Sequence, residues 1–65
     1  MKVRSFELHG LLVEIHSEKI PFQMVRLTVY LNGKEIRDSG MEIPEAELEE
    51  TVAEIEQSFR NNLSV

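Results

Sequence analysis

Cysteine and tryptophan are both absent from the 65 residues. Without cysteine there are no disulfides and no thiolate metal sites, so two of the usual supports of a very small domain are excluded. Proline occurs only twice and glycine only three times. The glycines are isolated, without the spacing of a P-loop or a dinucleotide fingerprint, and they read as turn residues. The longest apolar run is Leu11-Leu12-Val13, far too short to span a bilayer as a helix. The opening stretch Met1-Lys2-Val3-Arg4-Ser5-Phe6-Glu7 has charges where a signal peptide needs an apolar core. These absences lead us to expect a cytoplasmic protein with no membrane association.

A chain this short is one domain, residues 1–65. Folding at this size buries only roughly 60% of the surface the unfolded chain exposes. With disulfides excluded, very regular packing or self-association must make up the difference.

The net charge of −5 is unevenly distributed. Residues 1–43 carry six bases and six acids. Residues 44–65 carry six acids and only Arg60 as a base. The acidic end opposes docking on nucleic acid or anionic lipid, which both need positive charge, and it suits a basic partner.

Two hairpin signals organise residues 3–38. Asn32-Gly33 suits a type I′ turn, whose two central residues both need positive φ. Before it, Val25, Leu27, Val29 and Leu31 alternate with Met24, Arg26, Thr28 and Tyr30, the period of a strand. A two-residue loop fixes the register. Leu31 then faces Lys34, Tyr30 faces Glu35, Val29 faces Ile36 and Thr28 faces Arg37. His9-Gly10 can act in the same way, because histidine is enriched at positive φ. That turn pairs Leu8 with Leu11, Phe6 with Val13 and Arg4 with Ile15. The alternative is one long strand with a bulge near Gly10. Ser17-Glu18-Lys19-Ile20-Pro21 reads as the loop between the hairpins, and Asp38-Ser39-Gly40 as the end of the sheet.

The spacing of Leu48, Val52, Ile55 and Phe59 places them on one stripe of a helix over 44–62. Pro44 suits the first helical position, Glu45 and Glu47 favour the helix dipole, and Asn61-Asn62 suits a stop. Leu63 extends the stripe. Ile43, at the position before Pro44, has no side chain able to cap the first amides. The expected fold class is α+β: an antiparallel β-meander of three or four strands, built as two hairpins, with one C-terminal amphipathic helix packed on one sheet face. The expected core sets Phe6, Leu8, Val13, Ile15, Leu27, Val29 and Ile36 against the helix stripe.

Catalytic signals are weak. His16 with Glu14 and Glu18 is an incomplete set for zinc, which wants several nitrogen or sulfur ligands. His9 is accounted for by its turn. None of the five serines lies in a nucleophile elbow. The reading is therefore a small non-enzymatic protein-interaction module, without metal or cofactor, that self-associates as a homodimer or meets another protein. Its candidate interaction surface is Leu12, Met24, Arg26, Tyr30 and Arg37. The runner-up is a nucleic-acid-associated protein using the arginines and Tyr30 of the second hairpin. A third reading is an inhibitor that presents Glu49, Glu50 and Glu54 to a basic target.

Overall fold

The computed structural model describes residues 1–37 and 40–63. Five strands form one antiparallel sheet: β1 (Lys2–Leu8), β2 (Leu11–Ile20), β3 (Met24–Leu31), β4 (Lys34–Glu35) and β5 (Met41–Pro44). A 3-10 turn over Glu45–Glu47 leads into the helix α1 (Leu48–Leu63). The strands lie in the order β1-β2-β3, and β4 and β5 share the remaining edge of β3. The α+β meander with a C-terminal helix is thus the observed architecture.

Both tight turns are of the expected kind. His9 and Gly10 have φ of 51° and 82°, and Asn32 and Gly33 have φ of 51° and 85°. The first pairs Leu8 with Leu11, Phe6 with Val13 and Arg4 with Ile15, so Gly10 lies in a turn and not in a bulge. The second pairs Leu31 with Lys34 and Tyr30 with Glu35. Asn32 does more than turn the chain. Its side-chain oxygen accepts from the Leu12 amide at 2.9 Å, and its own amide donates to the Leu12 carbonyl at 2.8 Å. The turn is therefore tied to β2.

A bulge does occur, but in β1, where the register shifts between Lys2 and Arg4. The extra residue lets Val3 reach the core while Lys2 lies opposite His16 on the outer face. Strict alternation would have done the reverse.

Three expectations are corrected. Ser17–Ile20 is not a loop: it continues β2, pairing with Met24–Leu27. Ser17 is buried on the helix side, and Glu18 and Lys19 reach water at the sheet end, so the polar residues hide a regular ladder. The connection is only Pro21-Phe22-Gln23. Second, a strand follows Gly40. Ile43 is buried opposite Val25, and Glu42 faces Arg26 on the outer side. Pro44 therefore ends a strand, and the α-helix begins at Leu48, not Pro44. Third, Asn61 and Asn62 are helical. The expected sheet end at Asp38 and Ser39 lies outside the described residues.

The cap problem at Ile43 also finds an answer. The Glu45 amide donates to the Gln23 carbonyl at 2.9 Å, so the tip of the β2–β3 hairpin supplies an acceptor for the start of the helical segment.

The core is the space between the sheet and α1. Val13, Ile15, Val25, Leu27, Val29, Ile43 and Val52 are buried there, and Val3, Phe6, Leu48, Ile55 and Phe59 pack around them. Phe6 meets Phe59 edge-on, with ring centroids 6.2 Å apart. Above them, Glu56 accepts from Arg4 at 2.6 Å and from Arg60 Nε at 2.8 Å. The Arg60 guanidinium also lies 5.2 Å from the Phe6 ring centroid. This group clamps the middle of α1 to the edge strand β1.

Candidate interaction surface

The face of the sheet away from the helix gathers the polar residues of alternate positions. Glu14, His16 and Glu18 come from β2, Arg26, Thr28 and Tyr30 from β3, Lys2 from β1 and Glu42 from β5. Lys2 lies 3.1 Å from Glu14, and Arg26 lies 2.7 Å from Glu42. The hydrogen bond that Arg26 donates to the Glu42 carboxylate holds the guanidinium above its ordinary pKa. The His16 and Tyr30 rings are 4.3 Å apart. Beside them is a shallow hollow of about 220 Å³ that also touches Glu18, Arg26 and Thr28. His16 Nε2 is enclosed and has no hydrogen-bond partner among the described residues.

The sequence-selected surface is only partly brought together. Arg26 and Tyr30 share this face, four residues apart on β3 with Thr28 between them. Met24 is half-buried at the start of the same strand, next to the hairpin tip. Leu12 is on the same sheet face but at its opposite end, across from Glu7. Arg37 does not pair with Thr28: β4 ends at Glu35, and Arg37 is exposed in a turn. The site is therefore better described as Arg26, Thr28, Tyr30, His16 and Glu18. Sequence reading missed the His16–Tyr30 contact because it depends on the β2–β3 register, and the supposed loop at 17–21 hid that register.

Glu49, Glu50 and Glu54 are exposed on α1 and make no ion pair or hydrogen bond among the described residues. Glu56 differs from them. Hydrogen bonds from Arg4 and Arg60 hold its carboxyl below the usual value of 4.5. Glu45 lies 3.7 Å from Lys19. Among the described residues, no three His, Cys, Asp or Glu side chains are grouped to hold a metal ion. No described helix is long and apolar enough to cross a membrane.

One exposed feature was not selected from sequence at all. Phe22, at the tip of the β2–β3 hairpin, is 93% exposed. Its φ is 68° and that of Gln23 is 59°. The left-handed region costs an L-residue about 1–2 kcal/mol, and a bulky side chain there is an outlier. The sequence signal was available in Pro21-Phe22-Gln23, which places an aromatic residue directly after a turn-forming proline.

No protein-family model, curated protein or solved structure matches this chain.

Proposed function

We propose that the protein is a non-enzymatic interaction module that acts through protein surfaces and associates with itself. The observation that supports this is incomplete coverage of the sheet. The helix lies closest to the edge strand β1. Farther across the same face, Leu11, Leu31 and Ile36 are only half-buried and Met41 is 42% exposed. A helix about 10–12 Å across cannot roof strands spaced about 4.8 Å apart over the full sheet width. A domain this small, with no disulfide, gains most from burying such surface against a partner. Identical partners most often meet in two-fold dimers. β1 also leaves one edge unpaired by any described strand, though its bulge and charges blunt it as an aggregation template.

Sedimentation equilibrium from micromolar to millimolar protein tests the reading. Mass rising from the 7.5 kDa monomer towards a dimer, with a melting temperature that rises with concentration, is the expected result. A monomeric mass throughout, with concentration-independent melting, removes it.

A basic protein partner is a second reading, favoured by the absence of counter-ions at Glu49, Glu50 and Glu54 among the described residues. Nucleic-acid binding has less support. Arg26, the central cation of its face, is already engaged by Glu42, and Glu14, Glu18 and Glu35 share that face.

A further inference from the structure

The β2–β3 turn differs from the other two. His9-Gly10 and Asn32-Gly33 place residues suited to positive φ where positive φ is needed. Pro21-Phe22-Gln23 places phenylalanine and glutamine there, at 68° and 59°. In the monomer the Phe22 ring gains nothing from this position, because it stands in water. A local conflict of this kind, in a chain whose other turns agree with their residues, marks a functional position. The turn is also well held. Ile20 and Met24 close the ladder beneath it, and the Gln23 carbonyl accepts the Glu45 amide at 2.9 Å. The backbone that carries the ring thus has little freedom left to lose on binding.

An apolar hollow opens at the same end of the molecule. It measures about 490 Å³, with Met1, Val25 and Leu48 as apolar lining and Ser17, Glu18, Lys19 and Glu45 around them. Glu45 is the residue bonded to the turn, and Val25 lies three residues after Phe22. Hairpin tip and hollow therefore lie at the same end of the molecule.

We propose that Phe22 anchors a two-fold homodimer in which each copy's ring enters this hollow on the other copy. The proposal rests on the self-association reading above and names its contact. A closed pair needs knob and recipient on a common surface, so that each copy offers both; knob and hollow at opposite ends would instead propagate an open chain. Here they share one end. The rim pair of Lys19 and Glu45, 3.7 Å apart, balances its own charge, the Met1 ammonium in the lining donates to the Ser17 carbonyl at 2.8 Å, and Glu18 is exposed to water, so an uncharged ring can enter without stranding an ion. Two aromatic rings bury about 300–500 Å² together, well below the ~1,200–2,000 Å² of a standard interface. Exposed Pro21, Pro44 and Ala46 add surface around them, and the dimer is accordingly weak and reversible. Glu47, in the 3-10 turn, and Glu49 and Glu50, in the first turn of α1, lie at this end, so the two copies approach with like charge. Added salt screens that repulsion and strengthens the dimer.

The test compares wild type with Phe22→Asn by sedimentation equilibrium at low and high salt, alongside melting at low micromolar protein. Asparagine tolerates positive φ and removes the ring. The variant should associate about tenfold or more weakly than wild type and melt at or above the wild-type temperature where both are monomeric. A residue of merely structural value would instead lower that melting temperature. A benzophenone side chain at position 22, in mixed isotopically labelled and unlabelled protein, should crosslink between copies to the region of Val25, Glu45 and Leu48. A wild type that dimerises while Phe22→Asn dimerises equally well overturns this proposal and leaves self-association standing through another surface. Crosslinks between copies outside the hollow overturn the contact named here. A wild type that is monomeric throughout overturns both readings.

Discussion

Gly33 sits at φ 85°, and a Cβ built there would meet nothing within 4 Å. Space does not restrict the position; the backbone does. Gly33→Ala should cost about 1–2 kcal/mol, and Gly33→Val more, because β-branching makes positive φ still worse. Chemical denaturation measures it, and a valine variant with wild-type stability would contradict the turn. Glu56 shows a different control, that of charge. Its carboxyl accepts from Arg4 and Arg60 and is held below the usual 4.5, so the folded state gives up this proton more readily than the unfolded chain. The unfolded state therefore binds more protons in the window below 4.5, and stability rises with pH through it. The contribution is complete at neutral pH and is lost as pH falls through the depressed folded value. The Arg4 and Glu56 side chains are partly solvated, so the group is worth about 1 kcal/mol. Glu56→Gln should lower the melting temperature at pH 7, and the gap to wild type should close on acidification. A gap that persists at low pH would place the loss in packing and not in charge.

At the scale of elements, much of the fold was legible because local preference and burial agreed. Asn32-Gly33 and His9-Gly10 each set a register, and period-two alternation chose the buried face. The helix stripe was equally clear, and Val52, Ile55 and Phe59 all pack against the sheet. Three elements were hidden for separate reasons. The last third of β2 is polar because its outer residues meet water and Ser17 fills a small inner site. β5 alternates correctly in Met41, Glu42, Ile43 and Pro44, but four residues are too few when the last is a proline that also suits a helix start. The Phe22 turn contradicts the positive-φ preference of its own residues, and Pro21 was its local signal. The site was less legible than the fold: Arg26 and Tyr30 followed from one strand, whereas His16 joined them through a cross-strand register. Burial now ranks the helix positions. Val52 is 3% exposed and Ile55 is half-buried. Val52→Ala should cost about 2–3 kcal/mol, and Ile55→Ala should fall at the low end of the ~2–5 kcal/mol range for such truncations. Either loss is a large fraction of the stability of so small a domain. Melting curves of the two variants check this, and two wild-type curves would mean that α1 does not pack on the sheet.

Across the whole molecule, connectivity suggests an order of assembly. The first three strands are joined by hairpins, so their pairings close short loops. The β2–β3 ladder is central, with eight residue pairs from Val13↔Leu31 to Ile20↔Met24, and it meets a neighbour on each side. β5 must return past β4 to reach the free half of β3, at Met24–Leu27. α1 then docks on a face that exists only once β1, β2 and β3 are paired. The start of its helical segment also takes an acceptor from the Gln23 carbonyl of the finished hairpin tip. Contacts between neighbouring strands should thus form before those of the helix. Val29, buried in the middle of β3, belongs to the early set; Val52 belongs to the late one. A contact already formed in the transition state changes the folding rate when it is weakened, and one formed later changes the unfolding rate. Val29→Ala should therefore mainly slow folding, and Val52→Ala should mainly speed unfolding. Stopped-flow refolding and unfolding in denaturant separates the two, at protein concentrations low enough to keep the chain monomeric. Equal partition of both losses between the two arms would show that sheet and helix condense together, and a slower folding arm for Val52→Ala alone would reverse the order.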